Sequence, residues 1–350
     1  MNDPLALARP DIVALKPYSH ATWKPSLERL HANELPWRIQ GDRSDAGLNR
    51  YPEPQPRDLV ERLAQLYGAR PEQVLVGRGS DEGIDLLTRA FCRAGQDAVL
   101  VCPPTFGMYA VAARIQGAGV VEAPLRAATG FALDVERLVA ALAGVKLVYL
   151  CTPNNPTGSS LAPTDVETVI AAAAGRALVV IDEAYAEFSS APSWVARIDS
   201  APHLVVLRTL SKAYGLAGAR IGTVIAAPQV IALLRRIIPP YALAQPTVEA
   251  ALAALQPMQL EIMRARRDDI LRERTRVAAA LPTRAGVRRV WPSDGNFLLV
   301  EFADAGRALQ QIADAGLIVR DFRGASGLGE VLRITIGTPA QNERMLDSLK

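Results

Sequence analysis

The chain has 350 residues, 49% of them apolar and 21% charged, which is enough to bury a large core and build more than one domain, and excludes a globally disordered protein. Its formal net charge is only +3, and the densest basic cluster, RARRDDILRERTR at 264–276, is interleaved with acids. That cluster reads as a solvated helix face, so no nucleic-acid partner is expected. Three cysteines (Cys92, Cys102, Cys151) without CxxC spacing read as buried, reduced thiols, and three scattered histidines (His20, His31, His203) leave little material for a metal site, so none is expected.

The N-terminal MNDPLALARPDIVALKP has an early acid and two prolines and is not a secretory signal; with Pro-rich spacing and no clear element, residues 1–30 read as an arm lying on another surface. From residue 73 short apolar runs alternate with helical stretches: EQVLVG, DAVLVCPP, GVVEAPL, VKLVYLCTPNNPTG, RALVVIDEAY, HLVVLRTLSK and ARIGTVIAA. Segments such as DEGIDLLTRAFCRAG between them carry helical spacing. This rhythm predicts an α/β fold with a mainly parallel, seven-stranded sheet flanked by helices. The most apolar stretch, VIAAAAGRALVVI at 169–181, is too short and too interrupted to span a bilayer, so a cytoplasmic chain with no membrane partner is expected. After Pro246 come charged helices and then the short strands of WPSDGNFLLVEF, LIVRDF and VLRITIG. The division expected is an arm (1–30), a large domain (31–245) and a smaller α+β domain (246–350).

The strands of the large domain end in polar motifs: CPPTFGMY, CTPNNPTG, IDEAY and LSKAYG. In open α/β sheets ligands bind beyond the carboxyl ends of the strands, so these motifs are expected to converge. They bring Phe106, Asn155, Asp182, Tyr185, Ser211, Lys212 and Arg220: an aromatic plate, a carboxylate, a phenol, an amine and an anion clamp. That set suits a flat, phosphorylated heteroaromatic ring, and pyridoxal 5'-phosphate fits it. Lysine is scarce, five against 34 arginines, so one that follows a buried strand suggests a need for a deprotonatable amine, which arginine cannot supply.

SKAYGLAGARIG, NNPTG, DEAY and GSDEGIDLL resemble the aminotransferases of the aspartate aminotransferase-like fold. HANELPW, RYPEPQP, RAFCRAG and CPPTFGMY narrow the resemblance to the histidinol-phosphate aminotransferases, from about residue 10 to the C-terminus. The resemblance implies that Lys212 joins the cofactor covalently and later moves a proton between two carbons. Asp182 keeps the ring nitrogen protonated, while Tyr185 and Asn155 bind the ring hydroxyl. Arg220, Ser211, Thr209 and the helix start at Ser80 and Asp81 take the phosphate. Phe106 stacks on the ring where relatives often have tyrosine. Tyr51 resembles a tyrosine that reaches the cofactor phosphate of a neighbouring subunit, which implies a homodimer with shared sites. Arg333 and Arg320 are the candidates for gripping an anionic substrate, and Tyr18, Asn33 and Glu34 belong to segments that close the pocket. Leu35 departs from the small polar residue common after Asn-Glu.

The activity so implied is transamination between L-histidinol phosphate and 2-oxoglutarate, giving imidazole acetol phosphate and L-glutamate, a step of histidine biosynthesis. An aromatic amino acid aminotransferase and a decarboxylase of a phosphorylated amino acid share these motifs. A regulator with an aminotransferase-like sensor domain needs a DNA-binding module, for which the fold motifs begin too early.

Overall fold

The computed structural model describes residues 3–19, 24 and 26–349; His20 and Lys350 lie outside them. The seven expected runs form β1 (Val74–Gly77), β2 (Ala98–Val101), β3 (Gly119–Glu122), β4 (Val145–Cys151), β5 (Leu178–Asp182), β6 (Leu204–Thr209) and β7 (Gly222–Ala226). They make one sheet in the order β1-β7-β6-β5-β4-β2-β3. The strands from β6 to β3 run parallel, and β7 runs antiparallel to both of its neighbours. In β5 every residue is buried, yet alternate residues serve two different cores: Val179 and Ile181 join one cluster, Leu178 and Val180 the other. A strand apolar on both faces needs cover on both faces, and helices such as Pro163–Ala173 on one side and Ser80–Phe91 on the other supply it.

A second, antiparallel sheet follows, in the order β10-β11-β9-β8, from β8 (Val287–Val290), β9 (Phe297–Phe302), β10 (Arg320–Asp321) and β11 (Val331–Thr335). Strand β8 was not expected. Its sequence, VRRV, lies half exposed at the sheet edge, where arginines replace the apolar alternation by which strands are read. The basic cluster at 264–276 is indeed a solvated face: it lies on the helix Pro257–Ala280, which buries Val277, and its arginines pair with Asp268, Asp269 and Glu273.

The helix Gln245–Ala254 follows the change of composition at Pro246, but it packs Val248 and Ala251 into the core of the large sheet. The N-terminal arm differs from the expectation of a segment without elements. It forms a 3-10 turn at Pro4–Leu7 and a short helix at Pro10–Ala14, each starting on a proline that presets φ. Leu7 is buried in the large-sheet core, and the Arg9 amide donates to the Ala90 carbonyl at 2.9 Å. The three cysteines are free and buried.

Candidate active site

Parallel strands β4, β5 and β6 deliver their carboxyl ends side by side: Cys151 pairs with Asp182, and Asp182 with Leu207. Asn155 therefore follows β4, Asp182 ends β5 and Lys212 follows β6, around a cavity of about 720 Å³. All the residues expected at the site line this cavity except Tyr18, Asn33, Glu34 and Tyr51.

One end of the cavity is built for an anion. The antiparallel return of β7 sets Gly222 opposite Thr209 and Gly77, next to the start of the helix Ser80–Phe91. A Cβ on Gly222 would lie 2.2 Å from the Ser80 amide nitrogen, so only glycine lets the helix start press this closely on the strand. The helix has no side-chain cap at Gly79, which leaves its dipole and first amides for a ligand. Ser211 Oγ lies 3.0 Å from Thr209 Oγ1 and accepts from Arg220 at 3.3 Å, while Arg220 also donates to Asp81 at 3.2 Å. Arg220 holds φ +54, a left-handed conformation that costs a non-glycine residue roughly 1–3 kcal/mol. Such strain at a cavity wall marks a side chain whose direction matters.

The cavity wall also carries Asp182, 3% exposed. Its Oδ2 accepts from the Tyr109 hydroxyl at 2.7 Å and its Oδ1 from the Ala184 amide at 3.0 Å. The second bond is a local turn contact, and no helix starts at Asp182. Burial pushes the carboxyl from 3.8 up to about 6, against the Tyr109 and Ala184 bonds, which favour the charged form. Lys212 opens into the cavity, its Nζ 5.4 Å from the centre of the Tyr185 ring. Partial burial, reinforced by Arg333, lowers its pKa below that of a free lysine, and Asp182 and Asp81 oppose the shift. Tyr185 packs edge-on against Phe297 at 5.1 Å, and burial raises its phenol.

The small sheet supplies the remaining wall. Arg320 and Arg333 sit directly opposite each other on β10 and β11, a like-charge pair that is unfavourable unless an anion comes between or beside them. Arg333 donates to Asn155 Oδ1, stands over Phe297 and Phe322 at 5.2 and 5.4 Å, and keeps its buried Nε without a partner. Burial lowers its pKa, and Arg320 adds to that shift.

Some contributors were not singled out from the sequence. Tyr109 reaches Asp182 from the CPPTFGMY segment, three residues beyond Phe106. Asn154, buried beside Asn155, accepts from Thr105 at 2.8 Å and donates to the Pro104 carbonyl at 2.9 Å, so the loop bearing Phe106 is tied to the loop after β4. Phe322 lies two residues past Arg320, on the same face of an extended segment. Behind the site Arg208 on β6 donates to Glu183 at 2.7 Å and Glu187 at 2.6 Å, bracing the turn that carries Asp182 and Tyr185. All three side chains are less than a tenth exposed. Arg208→Ala strands two buried carboxylates and is expected to cost about 3–5 kcal/mol, read as a lowered midpoint in denaturant unfolding. A loss below about 1 kcal/mol would mean that the cluster is solvated.

The expected residues that miss the cavity lie elsewhere on the chain. Tyr51 stacks on Tyr241 at 4.5 Å and is half exposed, Tyr18 is largely exposed beside Pro54 and Arg236, and Asn33 adopts φ +58 next to Glu34. Glu34 is a brace: its buried carboxylate accepts from Arg50 at 2.9 Å and the Tyr51 amide at 2.7 Å.

Residues 29–349 match the family model "Aminotransferase class I and II". The chain belongs to this family. As an aminotransferase it is 51% identical to a histidinol-phosphate aminotransferase of Xanthomonas euvesicatoria pv. vesicatoria, over 99% of this chain and 96% of that protein. It is 49% identical to the Stenotrophomonas maltophilia enzyme of the same name, over 100% and 97%. Among solved structures it resembles the Sinorhizobium meliloti histidinol-phosphate aminotransferase in complex with pyridoxal 5'-phosphate, with TM-score 0.76 and 28% identity over 86% of this chain and 82% of that one.

Proposed function

We propose that this aminotransferase moves an amino group between L-histidinol phosphate and 2-oxoglutarate, yielding imidazole acetol phosphate and L-glutamate, with pyridoxal 5'-phosphate as cofactor. The residues fit that cofactor. Asp182 is a buried carboxylate with no basic side chain in hydrogen-bonding range among the described residues, on the wall of the cavity that also holds an anion cup made of an uncapped helix start, two hydroxyls and Arg220. A carboxylate so placed calls for a cation such as a protonated ring nitrogen. When bound, pyridoxal phosphate supplies an aldehyde that condenses with amines and a ring that accepts the electron pair of the substrate carbon.

The chain's own residues do the rest. Lys212 provides the amine for attachment and the base that moves the proton at the substrate carbon, and its lowered pKa enlarges the neutral fraction that can act. Asp182 would hold the ring nitrogen, Tyr185 and Asn155 would bind the ring hydroxyl, and Phe106 would stack on the ring. Arg333 and Arg320 take the substrate anion.

The observation that carries the substrate is the facing pair Arg320 and Arg333 in a protein half identical to histidinol-phosphate aminotransferases. Histidinol phosphate should therefore convert far more readily than histidinol. Losing the phosphate leaves the guanidinium groups unpaired, which costs roughly 2–5 kcal/mol, or about 30-fold to several thousand-fold in kcat/KM. A panel of amino donors tests this: phenylalanine outperforming histidinol phosphate supports the aromatic reading, and carbon dioxide release supports a decarboxylase. Arg333→Ala should erase most of the preference for the phosphorylated donor. An unchanged preference would move the clamp to Arg320.

The working unit is proposed to be a homodimer in the cytoplasm, with an arm at 1–30, a large domain at 31–245 and a small domain at 246–350. Among the described residues no helix is long and apolar enough to cross a membrane. The segment 30–39, tied to Tyr51 through Glu34, supports the dimer, because it exposes Leu30 (95%), Trp37 (76%), Leu35 (70%) and Ile39 (65%), more apolar surface than a short stretch of a monomer ordinarily leaves in water. In that dimer Tyr51 serves the phosphate of the neighbouring subunit, and Tyr18 and Asn33 close its pocket. Sedimentation equilibrium should give twice the 37.6 kDa chain mass, and Trp37→Glu should shift the population towards monomer with loss of turnover. A fully active monomer would refute shared sites.

A further inference from the structure

Tyr109 carries no role in the mechanism above, yet its surroundings are built with unusual care. Its ring is fully buried, lies parallel to Tyr149 at 4.6 Å with 6° between planes, and meets Phe106 edge-on at 5.6 Å. The Tyr149 hydroxyl is in turn 3.3 Å from both Thr88 Oγ1 and the Ile84 carbonyl, on the helix whose first turn forms the anion cup. A rib of aromatic and polar contacts thus runs from the Ser80 helix through Tyr149 and Tyr109 to Asp182. The Tyr109 hydroxyl donates to Asp182 Oδ2 at 2.7 Å, and Asp182 and Tyr109 are 73 positions apart in the chain.

We infer that Tyr109 is a positioning residue for Asp182: its hydroxyl pins one carboxylate oxygen, favours the charged carboxylate, and leaves the remaining lone pairs aimed at the cavity. The inference rests on the proposed cofactor, for it is the ring nitrogen that those lone pairs would meet. With the hydroxyl removed, a buried carboxylate held by one backbone amide becomes more basic. The shared proton then moves from the ring nitrogen towards Asp182. Other groups act on the same carboxylate: Asp81 raises its pKa and Lys212 lowers it, while Cys151, Tyr149 and Tyr185 couple to it as uncharged neighbours near neutral pH. Of these only Cys151, whose thiol also meets the Tyr109 hydroxyl, loses a contact in Tyr109→Phe, which keeps the ring stack on Tyr149.

Two measurements test the inference, one of them free of cofactor. In apo-protein, infrared difference spectra follow the protonated carboxyl band of Asp182, assigned by its loss in Asp182→Asn. Tyr109→Phe should raise the titration midpoint by roughly one to two pH units, the equivalent of one hydrogen bond to a charged group. An unchanged midpoint overturns the inference. In protein loaded with pyridoxal phosphate labelled with nitrogen-15 in the ring, the resonance should move towards the unprotonated value in Tyr109→Phe relative to the parent at the same pH. A midpoint that moves while the ring resonance stays in place overturns the role towards the ring. A parent protein that takes up no cofactor, with the apo midpoint shifting as expected, overturns the proposed function and with it this role. Tyr109→Phe should also lower kcat more than it raises KM, whereas a purely structural role predicts lost stability with the resonance unchanged.

Discussion

Replacing Lys212 with alanine is expected to abolish measurable transamination while leaving the protein folded and able to bind pyridoxal phosphate. Lys212 sits just past β6 on the cavity wall and forms no ion pair within salt-bridge distance among the described residues, so its removal breaks no direct salt bridge. The anion cup, built from Thr209, Ser211, Arg220 and the start of the Ser80–Phe91 helix, is untouched. Two functions are lost together, the covalent attachment and the positioned base, and proton transfer by a positioned side chain alone is worth about 10²–10⁴-fold. The combined loss in kcat is expected to exceed roughly 10³-fold. Borohydride treatment of the parent followed by peptide mapping should place the label on Lys212. A label on Lys146, or near-normal turnover of the variant, would remove Lys212 from the mechanism.

Asp182→Ala should produce the next largest effect, with opposite signs for activity and stability. Activity falls because the ring loses the charge that keeps its nitrogen protonated; by analogy with the removal of one preorganised electrostatic partner, kcat should fall by roughly 10²-fold or more. For stability the sign follows from the direction of the pKa shift. The folded pKa, about 6, lies above the reference value of 3.8, so the folded state holds the proton more tightly. The buried carboxylate therefore costs little at pH values below 3.8, and its cost grows as pH rises and is complete above about 6. Apo Asp182→Ala should accordingly gain on the apo parent by about 2 kcal/mol between pH 4.5 and pH 8. Denaturant unfolding of both proteins at the two pH values checks this. A variant that transaminates at the parent rate, with a stability difference independent of pH, would leave Asp182 as a turn residue with no part in the site.

This exchange of stability for function is a familiar property of active sites, and here it can be traced to named atoms. Among the described residues Asp182 is buried without a basic hydrogen-bond partner, Arg220 is held in a left-handed conformation, and Arg320 faces Arg333 across two strands. Each departure lies on the wall of the same cavity, and each is relieved or repaid by one chemical feature of a phosphorylated, protonated ring or an anionic substrate.

The sequence by itself determined the local elements and the chemistry at their ends. Apolar runs dominate β4, β5 and β6, interrupted by Lys146 in β4 and by Arg208 near the end of β6, so they can be read as buried strands, and polar groups at or just past their carboxyl ends, Asn155, Asp182 and Lys212 among them, are then placed to meet a ligand. The scarcity of lysine and the motif spacing pointed to Lys212 and Arg220 in the same way. What tertiary structure alone decided is contact between distant segments. That Tyr109 bonds Asp182, that Gly222 admits the Ser80 helix start, and that Arg320 lies opposite Arg333 all depend on strand register and helix docking, which periodicity does not encode. Strand β8 escaped for a related reason, since an edge strand bearing Arg288 and Arg289 has little burial pattern to read. Tyr18, Asn33 and Tyr51 show the remaining limit: sequence resemblance ties them to a site, but folding of one chain places them outside its own cavity, because side chains on a surface segment can act only on what that surface meets.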